Sequence, residues 1–477
     1  MVKMVDKKNL VLISVLIGML MSAIDTTIVI IALPTISSSL NAPFLDTIWV
    51  ILIYLLVLAS FTTLFGRFGD ITGRGRIFNA GFLIFILGSG LAGASPNVFF
   101  LIGSRVLQGF GAVMIQANSS AIVADFFEPH ERGRAFGITT MGWNIGGVLG
   151  ILLGGLITTY IGWRYIFYIN VPVGLIGFYF SMKYIRDKKT KKVGIDYIGN
   201  TLMVSILLLI SYGGVEIAGS GLTFLNIMLI VVGLILIIPF VYVENHVKDP
   251  LIVMKAFKVR VLSFSLIASL LQAIGYLSVL FILIMYLQGV RGFSPLDSSL
   301  LLVPGYIVSS LIAPRMGKVA DRRGAGLIAT LGIAIMDMGI LVYLILGVTT
   351  PLYFVVVGSL ISGFGAAMFW PSNNSAVMSG APRDIYGSIS GLLRMLSNIG
   401  TLMSYVIAIS IASLSVSRYV AFQVFLGSYH LSGSISSKFV VGIHAALISS
   451  FVILILAAVF SYVRGKNRHE IEQAQKN

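Results

Sequence analysis

QGFGAVM, residues Gln108–Met114, returns 254 positions later as SGFGAAM, residues Ser362–Met368. A short glycine-containing segment can recur by chance, but here its surroundings recur with it. Gly133, Gly137, Asn144, Ile145 and Gly146 have counterparts at Gly387, Gly391, Asn398, Ile399 and Gly400, all at the same displacement of 254. The loop GRFGDITG, with Gly66, Asp70 and Gly73, returns as GKVADRRG, with Gly317, Asp321 and Gly324, displaced by 251. The chain is therefore built from two parallel repeats. Parallel repeats in a membrane chain point to a secondary transporter, with the substrate bound between the halves.

The solvent of these repeats is lipid. Of 477 residues, 57% are hydrophobic and 11% charged, and the mean hydropathy is +0.97, far from the balance of soluble domains. Apolar runs of bilayer-crossing length recur fourteen times, and the ten-residue alternations of barrel strands are absent. Six runs end near Arg186. The repeat displacement exceeds six helices by enough for two more, so the spans group as six, two and six. We expect the halves at residues 1–186 and 261–477, with an inserted pair and its linkers at 187–260. The first run is too long for a signal-peptide core and is expected to be retained.

The net charge of +15 invites a nucleic-acid reading, yet its distribution opposes one. Lys and Arg cluster in alternate loops, as in KYIRDKKTKK after the sixth span. The intervening loops hold only Arg164, Arg291, Arg418 and Lys438. This is the positive-inside bias, which predicts both termini in the cytoplasm. There is no cysteine, hence no disulfide or thiol chemistry. Five scattered histidines offer no metal cluster, and no G-x-x-x-x-G-K-[ST] loop suggests an ATP-driven pump. An enzyme is not expected.

Charges inside spans are the exceptions that need a reason. Asp25 lies in MSAIDTTIVIIALP, the only charge between Leu10 and Pro34, at a cost of about 3 kcal/mol or more at membrane depth. Arg105 lies in the fourth span at similar depth. Such charges pair or line water, so these two are read together. Desolvation penalises a charged carboxyl and a nearby arginine stabilises it; a substrate that changes this balance releases or takes up a proton. The repeat aligns AID with AIG at Ala273–Gly275, so the second half has no copy of the acid. In the fifth span Gly142, Gly146, Gly150 and Gly154 are four apart, a stripe on one helix face that admits a neighbouring backbone closely.

The chain resembles the major facilitator superfamily, specifically its fourteen-helix drug:proton antiporter branch. The resemblance rests on IDTTIVIIALP, GRFGDITGRGR, RVLQGFGAVM, WRYIFYINVPVG, IDYIG, YLQGVRGFSPLDSSLLLVPG and LLRMLSNIG. It implies an all-α integral membrane protein of the cell membrane, a monomer, with no cofactor other than the proton gradient. Its partners would be a small-molecule substrate and the bilayer. It implies that Asp25 and Arg105 couple protons. It also implies that the two repeated loops gate the cytoplasmic side, through Gly66, Asp70, Gly73, Arg74 and Arg76, and through Gly317, Asp321 and Arg322. Asp70 would face the start of helix 13 and Asp321 the start of helix 5. The branch carries a proline after the helix 5 glycines where this chain has Ile151, so that helix is expected to be straighter. Candidates for the substrate cavity are Met21, Asp25, Trp49, Gln108, Gln116, Asp337, Trp370 and Arg394. The expected function is proton-coupled efflux of small amphipathic or cationic compounds. The alternative is a facilitator or proton symporter for small organic anions or metabolites, for which Arg394 and Ile151 are the motives; a sensor without transport is a further, weaker reading.

Overall fold

The computed structural model describes residues 2–185, 187, 194–252, 257–380, 386–416 and 433–464. Side chains of residues 2–7, 44, 129–134, 136–137, 140–141, 144, 321, 386–387 and 433–436 lie outside that description. Among the described residues every regular element is helical. The first six spans are α1 (Val2–Ser39), α2 (Phe44–Thr72), α3 (Arg74–Gly93), α4 (Val98–Phe126), α5 (Pro129–Tyr160) and α6 (Tyr165–Tyr184). α7 (Tyr197–Ser220) and α8 (Phe224–His246) follow. The last six are α9 (Arg260–Val290), α10 (Pro295–Arg323), α11 (Ala325–Tyr343), α12 (Tyr353–Gly380), α13 (Tyr386–Leu414) and α14 (Gly433–Val463). Thirteen are long and apolar enough to cross a bilayer, and α5 contributes a shorter apolar length, Ile145–Tyr160.

Local sequence explains where these helices start and turn. Asn97 caps α4 by accepting the Phe100 amide at 2.9 Å, and Asp196 caps α7 by accepting that of Gly199 at 2.8 Å. Ser294 caps α10 by accepting the Asp297 amide at 3.1 Å, with Pro295 in the first helical position. Both positions spare an amide that has no partner within its own helix. The tight turns between α2 and α3 and between α10 and α11 pass through Gly73 and Gly324, with φ of 113° and 95°. A side chain at either would be strained. α9 breaks at Leu277–Ser278, and the freed amide of Ser278 donates to Ser404 Oγ on α13 at 2.9 Å.

The repeated glycines account for the close packing inside each half. A Cβ on Gly109 would lie 3.1 Å from Val57 on α2, and one on Gly111 would lie 2.7 Å from the Gly81 carbonyl on α3. Their counterparts meet equivalent neighbours: Gly363 faces the Gly305 backbone of α10, and a Cβ on Gly365 would lie 2.6 Å from the Gly332 carbonyl on α11. One motif thus seats α4 or α12 against two helices at once.

The halves meet at the helix ends opposite the termini. Gln288 on α9 donates to the Ile31 carbonyl of α1 at 3.0 Å, and the Leu296 amide of α10 donates to Thr159 on α5 at 3.2 Å. Along one flank α2 touches α13, where Asn398 donates to Thr62 Oγ1 at 3.1 Å. α7 lies in the groove beside that contact. Ser410 of α13 donates to its Gly214 carbonyl at 2.7 Å, while the Trp49 ring of α2 lies tilted against that of Tyr212, the centroids 6.0 Å apart. α8 packs on α7 through Gly213 and Gly233 and turns residues such as Phe224 and Ile238 outward.

Candidate functional site

Asp25 and Arg105 form one ion pair, with Arg105 Nη1 donating to Asp25 Oδ2 at 2.5 Å. Neither group touches solvent, at 0% and 1% exposure, so water does not compete for the pair. Four helices supply its neighbours. Gln108 on α4 donates to Asp25 Oδ1 at 2.8 Å and to Ser89 on α3 at 2.6 Å. Asn170 on α6 donates to the same carboxylate oxygen at 3.3 Å. Arg105 Nε donates to the Val50 carbonyl of α2 at 2.9 Å, and its guanidinium lies 4.1 Å from the Tyr54 ring centroid. A buried pair breaks even only when hydrogen bonds satisfy its remaining valences; here Gln108 and Asn170 serve the carboxylate, and Gln108 and the Val50 carbonyl the guanidinium. Arg105 and Gln108 are one helical turn apart, so α4 presents both to α1.

The cavity candidates read from the sequence divide under this geometry. Gln108 belongs to the buried pair. Met21 packs toward α6, its Cε 3.1 Å from where Gly174 would carry a Cβ. Trp49 faces α7. These three positions are filled by packing within and around the first half; the charge or size that drew notice is used there. Gln116 and Asp337 are 5% and 7% exposed, and the Gln116 amide and Asp337 Oδ1 have no hydrogen-bond partner among the described residues. Trp370 is partly buried in an edge-to-face pair with Phe369. Arg394 reaches Trp143 on α5, its guanidinium 5.0 Å from the ring centroid.

The α2–α3 loop carries a charge cluster. Arg74 donates to Asp70 at 2.6 Å and to Asp125 on α4 at 2.8 Å. Asp70 is thus held inside the first half. The side chains opening α13 and that of Asp321 lie outside the described residues, so the expected cross-half contacts of both aspartates do as well. Arg76 pairs with Asp187 at 3.3 Å, and the Gly75 amide donates to the same carboxylate at 2.7 Å. Arg67 donates to the carbonyls of Gly194, Asp249 and Pro250. Sequence reading missed these ties to the linkers of the inserted pair, because neither a backbone carbonyl nor one charge in a basic linker marks its partner in the sequence. Gly66 and Gly317 sit in α2 and α10 with room to spare: an added Cβ at Gly317 would be 3.6 Å from Pro371. Arg322 is exposed in the last turn of α10.

Gly142, Gly146, Gly150 and Gly154 all face α1; a Cβ on Gly146 would stand 2.7 Å from Ala23 Cβ and 2.8 Å from the Leu20 carbonyl. α5 runs through Ile151 without a break. Because α1 is clamped on this side by glycine contacts, its opposite face is fixed toward α3, α4 and α6, where Asp25 projects.

Residues 15–405 match the Major Facilitator Superfamily. The chain belongs to that superfamily. It is 31% identical over 397 residues to the riboflavin transporter RibZ of Clostridioides difficile (strain 630), covering 82% of this chain and 86% of the relative. It is 30% identical over 473 residues to the puromycin resistance protein pur8 of Streptomyces alboniger, covering 96% and 92%. A bacterial homologue of the human lysosomal transporter Spinster, solved inward-facing and unoccupied, superposes with a TM-score of 0.67 at 16% identity over 98% of both chains. This member of the superfamily is a multi-pass membrane transporter of the cell membrane and not an enzyme.

Proposed function

We propose that this facilitator-superfamily protein belongs to the fourteen-helix drug:proton antiporter branch and exports small amphipathic or cationic compounds in exchange for protons. The observation that carries the reading is the sealed Asp25–Arg105 pair, which joins α1 to α4 inside the first half. Such a pair gains or loses a proton only when the helices that hold it shift, and alternating access supplies such a shift. Protonation of Asp25 would cancel its attraction for Arg105, leaving the guanidinium to Gln108 and the Val50 carbonyl. Proton occupancy and helix position then become linked. The energy source would be the proton gradient, with no bound cofactor, and the working unit a monomer. The similarity to a puromycin resistance protein supports efflux.

A second reading, uptake or facilitated passage of organic anions, is favoured by two observations. Arg394 has no carboxylate partner among the described residues, and one relative is a riboflavin transporter. Purified protein in liposomes with an internal pH dye separates the two. Under antiport, a substrate gradient directed into the vesicle drives proton movement outward, and Asp25→Asn abolishes it. Proton movement in the direction of the substrate, or none in the wild type, would reject antiport.

A further inference from the structure

Arg105 and Arg394, both lodged in the spans, are treated differently. Arg105 donates to Asp25, to Gln108 and to a backbone carbonyl. Arg394, in the third turn of α13, has no acceptor and no carboxylate among the described residues; its one partner is the indole face of Trp143. α13 belongs to the second half and α5 to the first, so this contact bridges them. Both side chains are partly exposed. An arginine that only snorkels extends its stem toward water; this one lies over a ring of the opposing half.

The indole occupies a face of the guanidinium and leaves its edge, with up to five N–H donors, available. That edge matches a carboxylate or another planar anion in a bidentate pair. We propose that Arg394 and Trp143 form a binding subsite for an aromatic organic anion. The guanidinium edge holds the charge and the ring system lies along the indole. Its two contacts come from different halves, so the anion binds more tightly to the arrangement in which α5 and α13 approach. That difference lets it bias the equilibrium between transporter states. The inference rests on the second reading above for the substrate's charge, and not on proton coupling or direction.

The test is equilibrium binding to purified protein in detergent, without any gradient. The probes are 2-naphthoate and 2-naphthamide, which share a ring system and differ in charge. Calorimetry should show the carboxylate binding at least about 10-fold more tightly, the value of one charge-assisted hydrogen bond. Arg394→Gln should erase the preference, Arg394→Lys should keep part of it, and Trp143→Leu should weaken both probes alike. Size-exclusion and melting behaviour verify that each variant is folded. If Arg394→Gln does not fold, Trp143→Leu decides. Absence of naphthoate binding by the wild type, equal affinity for both probes, preference surviving Arg394→Gln, or unaltered affinity in Trp143→Leu would each overturn the proposal. Proton coupling in liposomes can fail while this titration succeeds, and the reverse, so the two readings are judged separately.

Discussion

Asp25 and Arg105 illustrate what one residue can be asked to do in a low-dielectric interior. Removing either charge leaves the other buried and uncompensated, a loss of about 3 to 5 kcal/mol. Asp25→Asn or Arg105→Gln alone should therefore lower the melting temperature clearly. The double variant should recover much of the loss, since neither charge is then stranded. Strictly additive losses in a thermal-unfolding cycle would show that the two residues act independently. Both were legible in the sequence because a charge in an apolar run stands out. Ser89, Tyr54 and Asn170 were not. Neutral polar residues are ordinary in membrane helices, and only the fold brings Asn170 to the carboxylate, Tyr54 to the guanidinium and Ser89 to Gln108.

At the scale of elements, helix contacts are set by which glycines face a backbone. Gly146→Ala would press a methyl against Ala23 and the Leu20 carbonyl, with an overpacking cost of about 1 to 3 kcal/mol. Gly103→Ala is the control: nothing lies within 4 Å of its Cβ position. It should be neutral or stabilise α4 by up to about 1 kcal/mol through helix propensity. Equal melting temperatures for the two variants would contradict the α1–α5 packing described. The four-residue spacing revealed the stripe but not its partner. Similarly, nothing at Trp49 indicated that α7 would cover it, because an inserted helix has no repeat counterpart from which to infer its neighbour. Arg67 ties both linkers of the inserted pair to α2 through the carbonyls of Gly194, Asp249 and Pro250. Arg67→Gln should speed amide exchange in peptides covering residues 194–200 and 246–252 by about 10-fold, the equivalent of one lost charge-assisted hydrogen bond. Unchanged exchange there would mean that the linkers hold themselves.

For the whole molecule, the halves close at the ends opposite the termini, where α5 meets α10 and α1 meets α9. The chain has no cysteine, so a pair can be introduced without background. Thr159→Cys with Leu296→Cys, at positions joined by a 3.2 Å hydrogen bond, should cross-link under mild oxidation. Transport should then fall by more than about 10-fold and return on reduction, because the cross-linked ends cannot part and the outward arrangement loses its population. Full transport by fully cross-linked protein would show that this closure is not part of the cycle.

The sequence by itself determined the membrane-spanning helical class, the fourteen spans and the two parallel halves. Those follow from run length and from repetition, both properties of the chain in one dimension. Tertiary structure decided the rest. It sent Gln108 to an ion pair, Met21 to α6 and Trp49 to α7, and it set Arg394 against an indole of the other half. A helix in lipid is apolar on every side, so hydrophobic periodicity, which orients helices in water, says little about which side faces protein, lipid or substrate. That choice is made by close packing of small residues and by the few polar groups that must find one another.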